Sequence, residues 1–357
     1  MAGDALNSVD DAGVDSADTF RPPRLLRSSH LQSILGSVPP RAWLIRRRAA
    51  ALLAASNTMV LDCGEGVRLL GFHTPQGPDR RSTDGRRLAV LLHGWEGSSE
   101  SPYVLSAAAL LFQRGFGVVR LNLRDHGATH ALNRELFHSC RLPEIVGAVR
   151  ALSTQFPAAR LYLGGFSLGG NFMLRVAADA GAPDVIAGVV AVSPVIDPEA
   201  TLRALEQGLA VYRRYFVRRW SRSLRAKQRA WPGVHDFDEL ARSADLRRMT
   251  ADLVQRSTDF GSLEAYLEGY AVTGERLASL RVPARVLVAA DDPIIPAADL
   301  RRLAPSERLT IVRTRYGGHC GFMEDWGRPS YADRFMLEQF QQFERPGSPQ
   351  GSARNGS

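Results

Sequence analysis

A serine between two glycines is the first residue of this chain whose type and setting suggest covalent chemistry. The segment GFSLG at 165–169 follows a short apolar run at 161–164 and precedes helical sequence at 170–178. A G-x-S-x-G between a strand and a helix is typical of a nucleophile on a sharp turn, where small flanking residues leave room for a strained backbone. The pattern predicts that Ser167 is a nucleophile.

The base that such a serine requires can be found by elimination. A serine hydroxyl needs an imidazole to take its proton, and in this arrangement the acid and then the histidine follow the serine along the chain. Six of the eight histidines precede Ser167, which leaves His235 and His319. His235 falls in a polar stretch of helical sequence, whereas His319 follows two glycines just after the last apolar run. We therefore expect His319 to be the base.

Two neighbouring aspartates compete for the role of the acid. The apolar run at 285–290 leads directly into Asp291 and Asp292. A D-x-x-x-P turn is usual after this strand and selects Asp292, which would hold His319 in one tautomer and stabilise its charged form. Asp291 stays as the alternative acid; otherwise it would bond nearby backbone amides in the turn.

The oxyanion of a tetrahedral intermediate would also need N–H donors. One is expected from the backbone of Leu168, the residue after the nucleophile. The second is expected from the loop HGWEGSS at 93–99, whose small residues allow close backbone approach, and we choose the N–H of Trp95. This chemistry requires no cofactor and no metal.

Alternating strands and helices are predicted to position these residues. From about 61 to 194, short runs rich in Val and Leu alternate with helical periodicity, which is typical of βαβ units around a largely buried sheet. The alternation stops near 197, gives way to charged helical sequence, and returns after about 282. The pattern predicts an α/β domain over 20–344, with a mostly parallel sheet and a helical cap inserted at about 197–282.

The two ends of the chain differ in composition from this domain. Residues 1–19 are acidic and 345–357 are rich in Pro, Gly and Ser, so both are expected to be disordered. The leader lacks the basic start of a secretory signal, and three scattered cysteines suggest neither a disulfide framework nor a zinc site. We therefore expect a cytoplasmic protein. Because the net charge of +8 comes with no recognisable nucleic-acid-binding module, we expect no nucleic-acid partner.

These segments together resemble the α/β-hydrolase superfamily and, within it, the YheT-like esterases, bacterial relatives of the eukaryotic ABHD-type lipid hydrolases. The resemblance also rests on HLQS at 30–33, NLRDHG at 122–127, FHS at 137–139 and GHCGF at 318–322, and it covers about 23–343. Ser33 and Cys320 depart from the family's motifs without removing a required group. The resemblance implies esters with short or medium acyl chains, including glycerolipid-derived esters.

The cap begins with a basic segment. Between 201 and 230, nine basic residues stand against one acid. Apolar residues recur there three or four positions apart, at Leu205, Leu209, Tyr212, Phe216 and Trp220. The spacing predicts one basic amphipathic helix. Such a helix either packs on its own domain with a solvated charged face, which we favour, or makes weak peripheral contact with anionic lipid.

The reaction predicted from these residues is hydrolysis of a small-molecule carboxylic ester through an acyl-enzyme. A thioesterase or an amidase would use the same three side chains. Outside enzymes, the alternative is a non-catalytic protein of this fold that binds a small ligand. Dehalogenase and epoxide-hydrolase chemistry is disfavoured because it needs a carboxylate nucleophile where this chain has Ser167. The sequence makes no prediction of the oligomeric state.

Overall fold

A computed structural model describes residues 14–15, 20–76 and 86–344. Within them, nine strands form one sheet in the order β1-β9-β8-β7-β6-β4-β5-β3-β2. The strands are β1 (Val14–Asp15), β2 (Asn57–Asp62), β3 (Arg68–Thr74), β4 (Arg87–Leu92), β5 (Gly117–Leu121), β6 (Arg160–Phe166), β7 (Ile186–Val192), β8 (Ala284–Ala289) and β9 (Leu309–Thr314). Only the β2–β3 and β3–β5 pairs of this described sheet are antiparallel, which confirms the predicted α/β fold with a mostly parallel sheet.

Helices flank this sheet and fill its connections. The α-helices are α1 (Ser29–Leu35), α2 (Arg41–Arg48), α3 (Ala50–Ala54), α4 (Pro102–Gln113), α5 (Leu142–Gln155), α6 (Leu168–Ala178), α7 (Pro198–Gln207), α8 (Ala210–Ala230), α9 (Leu246–Ser257), α10 (Leu263–Gly269) and α11 (Tyr331–Gln342). Short 3-10 helices occur at Arg24–Leu26, Leu240–Arg242, Glu275–Leu277 and Ala297–Arg302.

The central strands contribute to a hydrophobic core on each face of the sheet. In β4, Leu88, Val90 and Leu92 pack in the core that contains α5, α6 and the cap helices. The residues between them, Ala89 and Leu91, pack in the core that contains α4 and α11. A strand buried on both faces is apolar at nearly every position, which explains why the predicted run at 88–92 matches β4 to within one residue.

The stretch between β7 and β8 contains the helices α7 to α10, where the cap is predicted. One prediction within it is wrong, because the basic segment at 201–230 belongs to two helices and not to one. Gly208 leaves α7 with an extended backbone (φ −76°, ψ −165°), and α8 begins two residues later. A Cβ at this position would lie 2.6 Å from the carbonyl oxygen of Ala204, so the break requires a glycine. Leu209 lies in the break and is 49% exposed, so it does not join the packed face.

The chain's single lysine attaches α8 to the body of the domain. Lys227 is fully buried, and its Nζ lies 2.8 Å from Asp125 Oδ1. The same ammonium group donates to the carbonyl oxygens of Asn133, at 2.6 Å, and Glu135, at 2.9 Å. Each ammonium N–H therefore has an acceptor, which offsets the cost of removing the charge from water. This contact fixes the cap against the segment that follows β5.

The segment before about residue 61 is more regular than predicted. Helices α1 to α3 and most of β2 lie there, although the predicted alternation begins only at about 61. Val14 and Asp15 pair in parallel with β9, so these two residues depart from the predicted disordered leader. Residues 1–13, 16–19 and the predicted disordered tail at 345–357 lie outside the described residues.

Candidate active site

Ser167 stands on a sharp turn between β6 and α6. Its backbone has φ 52° and ψ −121°, a conformation that non-glycine residues rarely adopt and that is common at functional sites. A Cβ on Gly165 would lie 2.3 Å from the carbonyl oxygen of Gly169, and a Cβ on Gly169 would lie 2.4 Å from that of His93. The turn therefore requires both glycines of the G-x-S-x-G motif.

The loop after β4 approaches Ser167 closely. A Cβ on Gly94 would lie 3.0 Å from Ser167 Cβ and 3.5 Å from its Oγ. His93 fixes this loop: its Nδ1–H donates to the carbonyl oxygen of Gly94 at 2.7 Å, and its Nε2 accepts the N–H of Leu123 at 3.1 Å. Burial lowers the pKa of His93 to about 4, so the ring is neutral and holds the loop in place.

The two predicted oxyanion donors lie beside this serine. Trp95 follows the loop glycine, and Leu168 is the first residue of α6. Among the described residues, neither backbone N–H has a hydrogen-bond acceptor. Both residues line the same cavity as Ser167. Residues that share the cavity with Ser167 thus carry two N–H groups that are free to bind a ligand oxygen, as the predicted oxyanion hole would need.

Asp292, and not Asp291, lies against the predicted base. Asp292 Oδ2 is 2.9 Å from His319 Nδ1, and its Oδ1 accepts the N–H groups of Ile294 at 2.8 Å and Ile295 at 3.0 Å. Asp291 Oδ1 instead accepts the N–H of Gly318 at 2.9 Å, next to the histidine. One aspartate therefore orients the imidazole, while the other supports the loop that carries it.

The environment of His319 favours its charged form. Burial lowers the pKa of the imidazole, but Asp292 and the neighbouring Cys320 raise it by more, so the pKa of His319 lies well above its ordinary value. The side chain of Asp292 is 2% exposed and that of His319 is 12% exposed, so water screens their interaction only weakly.

Helix α1 holds the histidine loop through contacts that the motif analysis missed. Ser33 Oγ accepts the N–H of His319 at 2.8 Å and donates to the carbonyl oxygen of Ser29 at 2.7 Å. The fully buried Gln32 donates to the carbonyl oxygen of Met323 at 2.9 Å and accepts its N–H at 2.6 Å. The departure from the family motif at residue 33 therefore supplies a bond to the predicted base.

The histidine loop also contacts the serine turn. The carbonyl oxygen of Val192 accepts the Ser167 N–H at 2.9 Å and the thiol of Cys320 at 3.8 Å. Within residues 20–76 and 86–344, no hydrogen bond joins Ser167 Oγ to His319. The structure thus brings His319 and Asp292 together, whereas Ser167 is not hydrogen-bonded to His319 in the described part of the chain.

The cavity at Ser167 has mainly apolar walls from the core and from the cap. It encloses about 820 Å³ of empty space, including its open mouth. Its apolar lining includes Phe137, Leu202, Leu205, Phe216, Trp220 and Leu253, whereas His319 and Asp292 do not line it. Trp95 stacks on Phe216, with ring centroids 5.2 Å apart and planes 9° apart, and meets the edge of Trp220. Helix α8 therefore forms one wall of the cavity above the serine.

Neither a metal-binding cluster nor a membrane-spanning helix occurs in the part of the chain that the structure describes. Within the described residues, His, Cys, Asp and Glu side chains do not gather in groups of three that could hold a metal ion. None of the helices in that part of the chain has the length and apolar content needed to cross a bilayer.

Sequence comparisons match this chain to an alpha/beta hydrolase family model and to proteins named as hydrolases of esters. The family model described as alpha/beta hydrolase fold matches residues 89–325. Putative esterase YheT of Escherichia coli (strain K12) is 26% identical over 334 residues, which cover 89% of this chain and 91% of YheT. Phospholipase ABHD3 of Mus musculus is 24% identical over 263 residues, or 72% of this chain. The match spans 64% of the length of that phospholipase.

One solved structure has a fold similar to that of this chain. The crystal structure of a membrane phospholipase A, described as a bacterial virulence factor, matches with a TM-score of 0.52 and 16% identity. The match covers 84% of this chain and 92% of the other. Because the matched family model spans most of the chain, including the serine turn and the histidine loop, the chain belongs to the alpha/beta hydrolase fold family.

Proposed function

We propose that the protein is a serine hydrolase that cleaves carboxylic esters of small molecules. Ser167 Oγ attacks the acyl carbon while His319 takes its proton; the bond to the alcohol then breaks, and His319 returns the proton to the leaving oxygen. Water attacks the acyl-enzyme in the same way, and the acid leaves as Ser167 regains its proton. Asp292 orients the imidazole, and the N–H groups of Trp95 and Leu168 stabilise the oxyanion.

The observation that carries this proposal is the strained Ser167 in one cavity with Trp95 and Leu168, whose backbone N–H groups have no acceptor within the described part of the chain. Donors fixed before the reaction stabilise a developing oxyanion at little reorganisation cost, and losing one typically costs about 3 kcal/mol of transition-state stabilisation. The buried pair of His319 and Asp292 supports the same mechanism, because a serine needs an oriented base.

The cavity suits the acyl part of an ester better than a charged group. Its walls are mainly aliphatic and aromatic, and apolar lining favours apolar ligands. Two relatives are named as a phospholipase and a putative esterase, and both names denote hydrolysis of esters. We therefore propose short or medium acyl chains, including esters derived from glycerolipids.

A fluorophosphonate probe combined with a substrate panel tests the proposal. The wild-type protein should form a covalent adduct at Ser167 and turn over p-nitrophenyl esters, with a preference among acyl lengths. The matching thioester and amide, tested with the same acyl group, distinguish the esterase from a thioesterase or an amidase. A folded protein that neither reacts with the probe nor cleaves any ester would instead be a non-catalytic binding protein.

Substitution of Ser33 by alanine should impair the base without changing substrate binding. The substitution removes the acceptor of the His319 N–H, so we expect kcat to fall by about 10- to 100-fold through misplacement of the imidazole. KM should stay the same, and Ser33→Thr should restore most of the rate because it retains the hydroxyl. Ser29→Ala on the same helix is the control; an equal loss in that variant would mean that α1 has only a structural role.

The rate should depend on pH through His319. The base acts in its neutral form, and the pKa of His319 is raised above the ordinary value of 6.5. We therefore expect kcat/KM to fall as the pH drops through a midpoint above 6.5. Ester turnover across pH at constant ionic strength measures the midpoint, and a midpoint below 6.5 contradicts the assignment.

The start of α8 suits weak peripheral contact with anionic lipid, which we propose as a property of this helix. Leu209, Val211 and Tyr215 are each about half exposed, and Arg214 and Arg218 are exposed among them. Apolar side chains next to cations are typical of interfacial helices. Vesicles that contain anionic lipid should therefore sediment more protein than zwitterionic vesicles do, and added salt should weaken the effect.

Variants of exposed apolar residues locate this contact. Leu209→Ser together with Val211→Ser should reduce sedimentation with anionic vesicles, because both exposed apolar side chains are lost. Val234→Ser is the control, since Val234 is also exposed and lies elsewhere in the cap. Equal sedimentation with both kinds of vesicle would show that α8 packs only on its own domain.

We also propose a cytoplasmic location for the protein. Cys63, Cys140 and Cys320 are all free thiols, which is the state expected in a reducing compartment. Fractionation of cells that express the chain tests this proposal, and recovery from an oxidising compartment would contradict it.

A further inference from the structure

The turn that carries Trp95 is strained and therefore needs support from the rest of the molecule. The N–H of Gly97 donates to the carbonyl oxygen of Gly94 at 3.0 Å, which closes a tight turn over residues 94–97. Inside this turn Glu96 has φ 55°, in the left-handed region that residues with a side chain rarely adopt. Such a conformation persists only where neighbouring groups hold it. The groups that contact residues 94–97 therefore determine the position of the Trp95 N–H.

One hydroxyl group contacts both ends of this turn. Tyr103, the second residue of α4, accepts the N–H of Gly94 on its Oη at 3.2 Å. A Cβ on Gly97 would lie 2.7 Å from the same oxygen, so the turn closes around the hydroxyl and leaves no room for a side chain. Because the carbonyl oxygen of Gly94 accepts the Nδ1–H of His93, both backbone polar groups of Gly94 are engaged. Trp95 lies between the two glycines that the tyrosine contacts.

The ring of Tyr103 packs on the strand that carries the nucleophile. It contacts Phe166, the last residue of β6, with ring centroids 5.0 Å apart and planes 49° apart. Ser167 is the next residue along the chain. Helix α4 is buried from Val104 to Leu111, so the backbone of Tyr103 is continuous with the packed core. The hydroxyl therefore connects the 94–97 turn to the same packed elements that hold the serine.

Tyr103 contacts the turn but does not line the cavity at Ser167. The described residues that line this cavity include Trp95 and Leu168. Any effect of the hydroxyl on a bound ester therefore passes through the turn. Without the hydroxyl, the N–H of Gly94 would lose its acceptor, and a sheltered polar group without a partner is unfavourable, so the turn would shift.

We propose that Tyr103 is a positioning residue for ester hydrolysis, whose hydroxyl fixes the 94–97 turn so that the Trp95 N–H meets the developing oxyanion. This inference rests on the proposed function and adds a residue to its machinery. A donor that is fixed before the reaction stabilises the transition state more than it stabilises the bound ester. Displacement of the turn should therefore lower kcat and leave KM nearly unchanged.

Tyr103→Phe tests the proposal because it removes one oxygen atom and keeps the ring against Phe166. We expect kcat for the preferred p-nitrophenyl ester to fall by about 10- to 100-fold, with KM changed by less than about twofold. The pH midpoint of kcat/KM should equal that of the wild type, because the pair of His319 and Asp292 is intact.

A trifluoromethyl ketone with the acyl chain of the preferred ester reports on the oxyanion separately. Ser167 Oγ adds to its carbonyl carbon, the serine proton passes to His319, and the carbonyl oxygen becomes an oxyanion. Such an adduct resembles the tetrahedral intermediate and uses the same N–H donors. The inhibition constant of the ketone should therefore rise in Tyr103→Phe by the same factor by which kcat falls.

Tyr162→Phe is the matched control for this variant. Tyr162 is 1% exposed and lies towards the start of β6, where its ring packs against Phe116 and Phe340. Each variant removes one tyrosine hydroxyl from the packed domain, so a purely structural effect would appear in both, whereas only Tyr103→Phe should lose kcat.

The wild-type protein separates the two possible failures. If the wild type neither cleaves esters nor binds the ketone, the proposed hydrolase is wrong and the role of Tyr103 with it. If the wild type does both, then an unchanged kcat in Tyr103→Phe, an equal loss in Tyr162→Phe or an unchanged inhibition constant for the ketone overturns only the role of Tyr103.

Discussion

Replacement of Ser167 by alanine should abolish both covalent labelling and ester turnover. Loss of a serine nucleophile typically lowers kcat by a factor on the order of a million, because no covalent intermediate can then form. The fold should survive, because the Ser167 N–H still bonds to Val192 and the hydroxyl itself makes no hydrogen bond among the described residues. Fluorophosphonate labelling and initial rates with the preferred ester measure the effect.

A second serine in the same cavity provides the matched control. Ser139 also lines the cavity, but it lies outside the strained turn and follows Phe137 and His138. Ser139→Ala should keep the label and most of the rate. If Ser167→Ala still forms the adduct, or if Ser139→Ala loses it, Ser167 is not the nucleophile.

Asp292→Asn should lower kcat by a factor of about ten thousand, as expected when a triad acid becomes an amide. The carboxylate accepts the Nδ1–H of His319; an amide that turns its NH₂ toward this nitrogen would stabilise the wrong tautomer. The amide oxygen can still accept the N–H groups of Ile294 and Ile295, so the turn should be retained. Single-turnover and steady-state rates give the size of the loss.

The neighbouring residue makes this test specific. Asp291→Asn introduces the same chemical change one position earlier, but the new amide can still accept the N–H of Gly318. We expect a loss of less than about tenfold, because the imidazole keeps its carboxylate. A larger loss in Asp291→Asn than in Asp292→Asn would reverse the two roles.

The fold was predictable where burial is uniform along a strand. Strand β4 is buried on both faces, with Val90 in one core and Leu91 in the other, so it appears in the sequence as one apolar run. In β2, by contrast, exposed and buried residues are mixed, and this strand pairs antiparallel at the edge of the sheet. The break at Gly208 was missed because apolar spacing continues across it, although a glycine within a helical pattern is itself a signal of a helix end.

The candidate site was predictable where a motif fixes local geometry. The turn at Ser167 and the loop at Trp95 follow from small residues at fixed positions. Asp291 and Asp292 are adjacent and chemically identical, so only the D-x-x-x-P turn pattern distinguished them in the sequence. In the structure, Asp292 bonds to the His319 ring and Asp291 to the Gly318 N–H. The bond between Ser33 and His319 joins residues 286 positions apart, and no local pattern encodes such a contact.

The buried ammonium group of Lys227 gives this protein an unusual response to amine-directed reagents. Because the chain has one lysine and that side chain is inaccessible, such reagents should modify no lysine while α8 stays docked. Acylation of Lys227 would then require the helix to detach, since all three ammonium protons are engaged in the native state. The rate of its modification would therefore report how often the cap opens.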